Sequence, residues 1–214
     1  MLQITCLTFG PFQENTYVIY DEQGDCLIVD PGCYDQQERD RLKQFITDKN
    51  LQPKRLINTH GHIDHIAGNK FICTTYNLLP EIHPLDVPML EQVVSIGQRY
   101  GLTVEPSPAP GKLLSEKDTI ALGNTHFTLL HAPGHSPGSL CLVHAGAEVV
   151  IAGDVLFQGS IGRTDLPGGD HQTLLTSIKT KLFPLPDHYK VYAGHGAPTT
   201  IGMEKKSNPF LVNL

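Results

Sequence analysis

LINTHGHIDHIAGN, residues 56–69, places four metal-ligating side chains within six positions: His60, His62, Asp64 and His65. Two histidines that are two residues apart cannot share one face of an α-helix, because successive side chains rotate by about 100° around it. We therefore expect this cluster to lie on a turn. The turn follows RLIN, a short apolar run that is predicted to be a strand.

Three further apolar runs end in the same way, with a histidine or aspartate beside a glycine. The four runs are RLINTH, FTLLHAPGH, EVVIAGD and YKVYAGH, and they deliver His60, His135, Asp154 and His195. Polar groups that follow strands lie at the rim of a sheet, where open α/β proteins bind their ligands. The adjacent glycines allow the close backbone approach that ligand loops need. The sequence thus predicts four loops that converge on one pocket.

The predicted pocket contains seven candidate ligands: His60, His62, Asp64, His65, His135, Asp154 and His195. Seven nitrogen and oxygen donors exceed the needs of one zinc ion, but they suit two ions that share a carboxylate. Imidazole favours zinc or iron, and no two cysteines have the spacing of a thiolate site. We expect two divalent metal ions, most naturally zinc, with iron or manganese as alternatives.

Strands and helices alternate along the chain, which predicts a single α/β domain over residues 1–214. A hairpin is expected from residues 16–20 and 26–30, and later strands from TIAL, HFTLLH, SLCLVH, EVVIA and YKVYA. Helices are expected over the stretch 35–50 and over 66–76, 86–98 and 171–183. Residues 101–112, GLTVEPSPAPGK, carry three prolines and predict an extended loop.

Charge and hydropathy exclude several classes of protein. The formal net charge is −6, with dispersed basic residues, which argues against a nucleic-acid partner. No apolar run approaches the roughly 18 residues of a membrane span, so no membrane partner is expected. The first Lys or Arg is Arg39, so the N-terminal stretch lacks the basic region of a signal peptide. We expect a cytoplasmic protein, and the sequence leaves the oligomeric state open.

Four motifs carry a family resemblance. HxHxDH at 60–65, PGHSPGS at 133–139, AGDVLF at 152–157 and AGHG at 193–196 resemble the metallo-β-lactamase fold superfamily. GSIGRTDLPGGD at 159–170 and the tail GHGAPTTIGMEKKSNPF are similar to the single-domain relatives of glyoxalase II, the hydroxyacylglutathione hydrolases. The resemblance implies a four-layer αββα sandwich, in which two mixed β-sheets lie face to face with helices outside.

The same resemblance implies the role of each ligand. The first metal would be held by His60, His62 and His135, the second by Asp64, His65 and His195, and Asp154 would bridge them. The implied activity is hydrolysis of a small-molecule thioester such as S-lactoylglutathione by a metal-bridging hydroxide, which Asp64 would orient as the catalytic residue. The larger glyoxalase II enzymes bind glutathione through a further helical domain, and the resemblance implies no substrate-binding residue in this sequence.

Two positions beside the ligands admit two interpretations each. Asp30 follows CLIV, and it either accepts a hydrogen bond from a ligating imidazole or caps the turn at Pro31 and Gly32. Arg163 and Asp165 either contact substrate or form an ion pair that shapes their own loop, and the ion pair is favoured.

Three other functions are compatible with the same motifs. A mononuclear iron persulfide dioxygenase also resembles this sequence and would use only His60, His135 and Asp154, two histidines and one carboxylate. The metal ions would equally serve hydrolysis of a lactone, a β-lactam or a phosphodiester. A non-catalytic binding protein on the same scaffold is the third alternative, but such chains tend to lose ligands, and all seven are present here.

Overall fold

The computed structural model describes residues 2–212 and divides the chain into two compact units. The first unit runs to Leu114 and includes Ala121–Thr125, and the second comprises Ser115–Ile120 and the residues from His126 onwards. The first unit contains one six-stranded mixed sheet, and the second unit contains most of another.

The sheet of the first unit has its strands in sequence order. The first three strands are antiparallel, and the last four are parallel to one another. The strands are β1 (Gln3–Phe9), β2 (Glu14–Tyr20), β3 (Asp25–Val29), β4 (Gln52–Ile57), β5 (Pro80–Ile82) and β6 (Lys112–Leu113). Every residue of β2 is buried.

Four helices belong to the first unit: α1 (Gln36–Asp48), α2 (Ile63–Ile66), α3 (Asn69–Tyr76) and α4 (Val87–Arg99). The Asp35 carboxylate caps α1 by accepting a hydrogen bond from the Glu38 amide at 2.9 Å. Leu42 and Ile46 of α1 pack on β1–β4 in one apolar cluster. Burial of side chains of this size stabilises a fold by about 1.5–3 kcal/mol each, so the apolar stripe attaches α1 to the sheet.

The segment after β4 differs from the sequence-based expectation. The predicted helix over 66–76 begins only at Asn69, and the predicted turn contains a one-turn helix, α2, that carries Asp64 and His65. Gly68 separates the two helices: a Cβ there would lie 2.7 Å from the Pro31 carbonyl oxygen, to which the Gly68 amide donates a hydrogen bond. Ile63 and Ile66 of α2 are buried in one cluster with residues of α4.

The sheet of the second unit has the order β14-β13-β10-β9-β8-β7. Its strands are β7 (Thr119–Leu122), β8 (Thr125–His131), β9 (Leu140–His144), β10 (Val149–Gly153), β13 (Lys190–Ala193) and β14 (Thr199–Thr200). β10 and β13 are parallel, whereas β9 is antiparallel to β8 and β10. A separate hairpin consists of β11 (Leu156–Phe157) and β12 (Ser160–Ile161).

The helices of the second unit are α5 (His171–Ser177), which continues into a π-helical turn at Ile178–Leu182, and α6 (Ile201–Ser207). Leu174, Ile178 and Ile201 pack with strand residues in one apolar core. Gly134 is required beside α5, because its φ is +129° and a Cβ there would lie 2.2 Å from the Leu174 amide nitrogen.

Most predicted elements are confirmed, and several further elements were not predicted. The hairpin of β2 and β3, the five later strands, helices α1 and α4, and the irregular course of residues 102–111 agree with the expectation. The strands and α-helices that the sequence did not predict are β1, β5, β6, β11, β12, β14, α2 and α6. Among residues 2–212, no helix is long and apolar enough to cross a membrane.

Candidate metal centre

In the first unit, the candidate ligands follow two adjacent parallel strands. β3 ends at Val29 and β4 ends at Ile57, and the Asp30 amide donates to the Ile57 carbonyl at 2.9 Å. The carboxyl ends of parallel strands lie at the same sheet edge, so Asp30 and the segment after Ile57 must meet. The Asp30 carboxylate accepts hydrogen bonds from the Thr59 amide at 2.7 Å and the Thr59 hydroxyl at 2.6 Å.

Two imidazoles are oriented by this carboxylate. His65 Nδ1 lies 3.1 Å from Asp30 Oδ2 and must donate, because a carboxylate only accepts. The Thr59 hydroxyl donates its hydrogen bond to Asp30. His60 Nδ1 lies 3.0 Å from that hydroxyl and must therefore donate a hydrogen bond to it. Both rings therefore carry their lone pair on Nε2, the state that binds a metal ion.

His62 and Asp64 complete the set in the first unit. The His60 ring centroid lies 4.8 Å from that of His62 and 4.1 Å from that of His65. Asp64 Oδ2 lies 3.8 Å from His65 Nε2, and its side chain is 16% exposed. The fully buried Asp86 carboxylate accepts from the Gly61 amide at 3.0 Å and so holds the loop between His60 and His62.

A carboxylate that the sequence analysis did not select lies behind His65. Glu14, at the start of β2, is completely buried, and its Oε1 lies 3.8 Å from His65 Nδ1. Its other oxygen accepts from the Thr16 hydroxyl at 2.9 Å. Burial raises the pKa of Glu14 well above its ordinary value, and the nearby His65 opposes that rise. His65 Nδ1 thus faces two carboxylates, Asp30 and Glu14.

In the second unit, Asp154 lies between two histidines. β10 and β13 are parallel and end at Gly153 and Ala193, and the Gly194 amide donates to the Gly153 carbonyl at 2.8 Å. Asp154 and His195 follow these ends. Asp154 Oδ2 lies 3.5 Å from His195 Nε2 and 3.5 Å from His135 Nε2. One carboxylate oxygen is therefore equidistant from two imidazoles.

The His135 ring is oriented by a backbone group. Its Nδ1 donates to the Arg163 carbonyl at 2.8 Å, so its lone pair is on Nε2, the atom that faces Asp154. Gly162, one residue earlier, admits no side chain, because a Cβ there would lie 1.9 Å from the Asp154 carbonyl oxygen and 3.1 Å from His135 Cβ.

The Arg163 and Asp165 side chains form the expected intraloop ion pair. Arg163 Nε and Nη2 each donate to one Asp165 oxygen at 2.7 Å, a bidentate arrangement. The pair is exposed, and the arginine lowers the pKa of Asp165 to about 2.

These donors fit divalent metal ions. His60, His65 and His135 each have Nδ1 committed to an oxygen acceptor, the partner arrangement that orients metal-ligating histidines. Imidazole and carboxylate suit zinc and iron alike, so the donor set does not select one metal.

Comparison with known proteins identifies the family. Residues 9–195 match the model of the metallo-beta-lactamase superfamily. The chain belongs to this superfamily. Membership accounts for the two mixed sheets with flanking helices, and the expected metallo-β-lactamase fold is confirmed.

Three known proteins are similar to this chain over nearly their whole length. Hydroxyacylglutathione hydrolase GloC of Haemophilus influenzae is 39% identical, over 98% of each chain. The crystal structure of BLEG-1 B3 metallo-beta-lactamase matches with a TM-score of 0.91 at 36% identity, covering 98% of this chain and 99% of that one. TTHA1623 in a di-iron-bound form matches with a TM-score of 0.87 at 37% identity, covering 97% and 100%. The chain is a metallo-hydrolase of this superfamily.

Proposed function

We propose that the two sets of side chains form one dinuclear metal centre. His60, His62 and His135 would hold one ion, and Asp64, His65 and His195 the other. Asp154 would be shared, and the observation that carries the proposal is its position: one oxygen at 3.5 Å from the Nε2 atoms of both His135 and His195. A carboxylate oxygen that is equally distant from one ligand of each ion suits a bridge between two ions better than it suits a site for a single ion.

The proposed reaction is hydrolysis of a thioester such as S-lactoylglutathione. When bound, two divalent ions would lower the pKa of water to about 7 and so supply the nucleophile without a separate strong base. The substrate class rests on the 39% identity with the GloC protein over nearly the whole of both chains. A small-molecule thioester is the class of substrate that this relative's name indicates.

The chain's own residues would perform three tasks in that reaction. Asp30 and Thr59 hold His60 and His65 in the tautomer with Nε2 available. Asp64, partly exposed, would orient the attacking water and accept its proton at a carboxylate oxygen. The Arg163 carbonyl holds His135.

Replacement of Asp64 tests this assignment. In zinc-loaded protein, Asp64→Asn should lower kcat for S-lactoylglutathione by about 100-fold or more, the typical contribution of a positioned general base. Asp48→Asn, an exposed change at the end of α1, should leave the rate unchanged. Unaltered turnover by Asp64→Asn would contradict the assigned role.

A second candidate reaction is β-lactam hydrolysis, because a B3 metallo-beta-lactamase is a structural relative with a TM-score of 0.91. Assays of the same preparation with a chromogenic cephalosporin and with a persulfide separate the candidates. Thioester turnover that exceeds both supports the proposal. Sulfite release from the persulfide, or faster cephalosporin hydrolysis, would replace it.

A further inference from the structure

Glu204 is a buried carboxylate in the second unit that is separate from the candidate ligands. It lies on α6 and is 1% exposed. Its oxygens accept hydrogen bonds from the Thr199 hydroxyl, the Gly159 amide at 2.9 Å and the Asn208 side-chain amide at 2.8 Å. Burial of a charge is costly unless its hydrogen bonds are satisfied, and here three donors surround the carboxylate. The arrangement indicates a specific task for Glu204.

The carboxylate holds the tip of the β11–β12 hairpin. The Gly159 amide donates the hydrogen bond that Glu204 accepts. Gly159 is in the tight turn of the hairpin and has a φ of +66°. Asn208, completely buried, also donates to the Ser160 carbonyl at 2.9 Å. α6 and the residue after it therefore fix two consecutive backbone groups of the hairpin.

The hairpin leads directly to the ligands of the second unit. β12 ends at Ile161, and the next residue, Gly162, lies so close to the Asp154 carbonyl that no Cβ fits. The residue after that, Arg163, supplies the carbonyl that accepts a hydrogen bond from His135 Nδ1 at 2.8 Å. A displacement of the hairpin tip would move this carbonyl away from His135.

We propose that Glu204 is a positioning residue of the metal centre. Through Gly159 and Asn208 it fixes the hairpin, and the hairpin fixes the Arg163 carbonyl that keeps the His135 lone pair on Nε2. The inference rests on the proposed metal centre and not on the identity of the substrate. Partners of ligating histidines typically contribute about 10–100-fold to metal affinity.

The experiment compares three variants of the full chain, with two measurements on metal-free protein. One is zinc affinity, by competition with a chromogenic chelator, and the other is the His135 tautomer, from long-range ¹H–¹⁵N NMR spectra. Glu204→Ala should bind zinc about 10–100-fold more weakly and show a mixture of tautomers at His135. Glu204→Gln, which keeps an acceptor oxygen, should stay close to wild type. Leu182→Ala, which removes a buried side chain from the same unit, should lower thermal stability but change neither measurement.

Three results would overturn the proposal: wild-type affinity and tautomer in Glu204→Ala, equal losses in Leu182→Ala, or a Glu204→Gln variant as impaired as the alanine variant. Failure of the wild-type protein to bind zinc would count against the dinuclear centre instead. The tautomer measurement needs no metal, so the two failures are distinguishable.

Discussion

Asp30 shows at the scale of one residue how the fold prepares the ligands. Its φ is +51°, a left-handed conformation that favours glycine and is tolerated by Asp and Asn, and it is 1% exposed. From this position its carboxylate accepts from the Thr59 amide, the Thr59 hydroxyl and His65. Backbone strain at one buried residue thus serves to orient two imidazoles.

Asp30→Asn should weaken the protein in two ways. Asparagine keeps the left-handed backbone, but its amide group would face the donors on Thr59 and His65, and a buried polar mismatch costs about 1–3 kcal/mol in free energy of unfolding. Zinc affinity should fall about 10–100-fold. Denaturant unfolding and chelator competition measure the two effects. Asp40→Asn, on the exposed side of α1, is the control, and equal behaviour of the two variants would refute the orienting role.

Glu14 gives a prediction about pH. In metal-free protein, burial raises its pKa above the ordinary 4.5, so folding must keep a proton that the unfolded chain releases. Stability relative to Glu14→Gln should therefore decline as pH rises from 4.5 through the raised pKa. Urea unfolding between pH 4 and 8 measures this difference, and a constant difference over that range would contradict it.

The residues of the candidate site differ in whether the sequence pattern could predict their role. His60, His135, Asp154 and His195 each follow an apolar run and adjoin a glycine, so pattern alone selected them. Glu14 stands at the head of an equally apolar strand, but its burial depends on the packing of the whole sheet. The hydrogen bond from His135 to Arg163 uses a backbone carbonyl, which no side-chain pattern can reveal.

At the scale of elements, the parallel strand pairs β3–β4 and β10–β13 position the polar side chains of the candidate site. Each pair delivers polar groups at adjacent carboxyl ends, Asp30 beside Thr59 and Asp154 beside His195. Apolar periodicity was sufficient to predict these strands. It was insufficient for β1, where only Leu7 and Phe9 are buried, and for α2, whose single turn is too short to show a helical period.

The hairpin β11–β12 gives a prediction at this scale. Gly162→Ala should distort the loop, because its Cβ would lie 1.9 Å from a backbone oxygen that cannot rotate away. We expect a loss of more than about 3 kcal/mol in unfolding free energy, as for severe overpacking, together with a loss of zinc binding. Gly159→Ala, at φ +66° with no atom within 4 Å, should cost only about 1–2 kcal/mol. Thermal and denaturant unfolding rank the two variants, and the reverse order would contradict the model of the loop.

At the scale of the whole molecule, metal binding and folding should be coupled. Ligands that must be deprotonated and assembled bind a metal ion only in the folded chain, so bound metal ions would stabilise the native state. Removal of metal with a chelator should lower the melting temperature, and added zinc should restore it. A melting temperature that is the same with and without metal would show that the seven side chains do not bind it.

The dinuclear centre is the central claim, and metal titration tests it most directly. Metal-free protein is titrated with zinc while bound metal and S-lactoylglutathione hydrolysis are measured on the same samples. We predict that two zinc ions bind per chain and that hydrolysis rises until the second equivalent is bound. Saturation of activity at one equivalent, or full activity in protein stripped of metal, would contradict it.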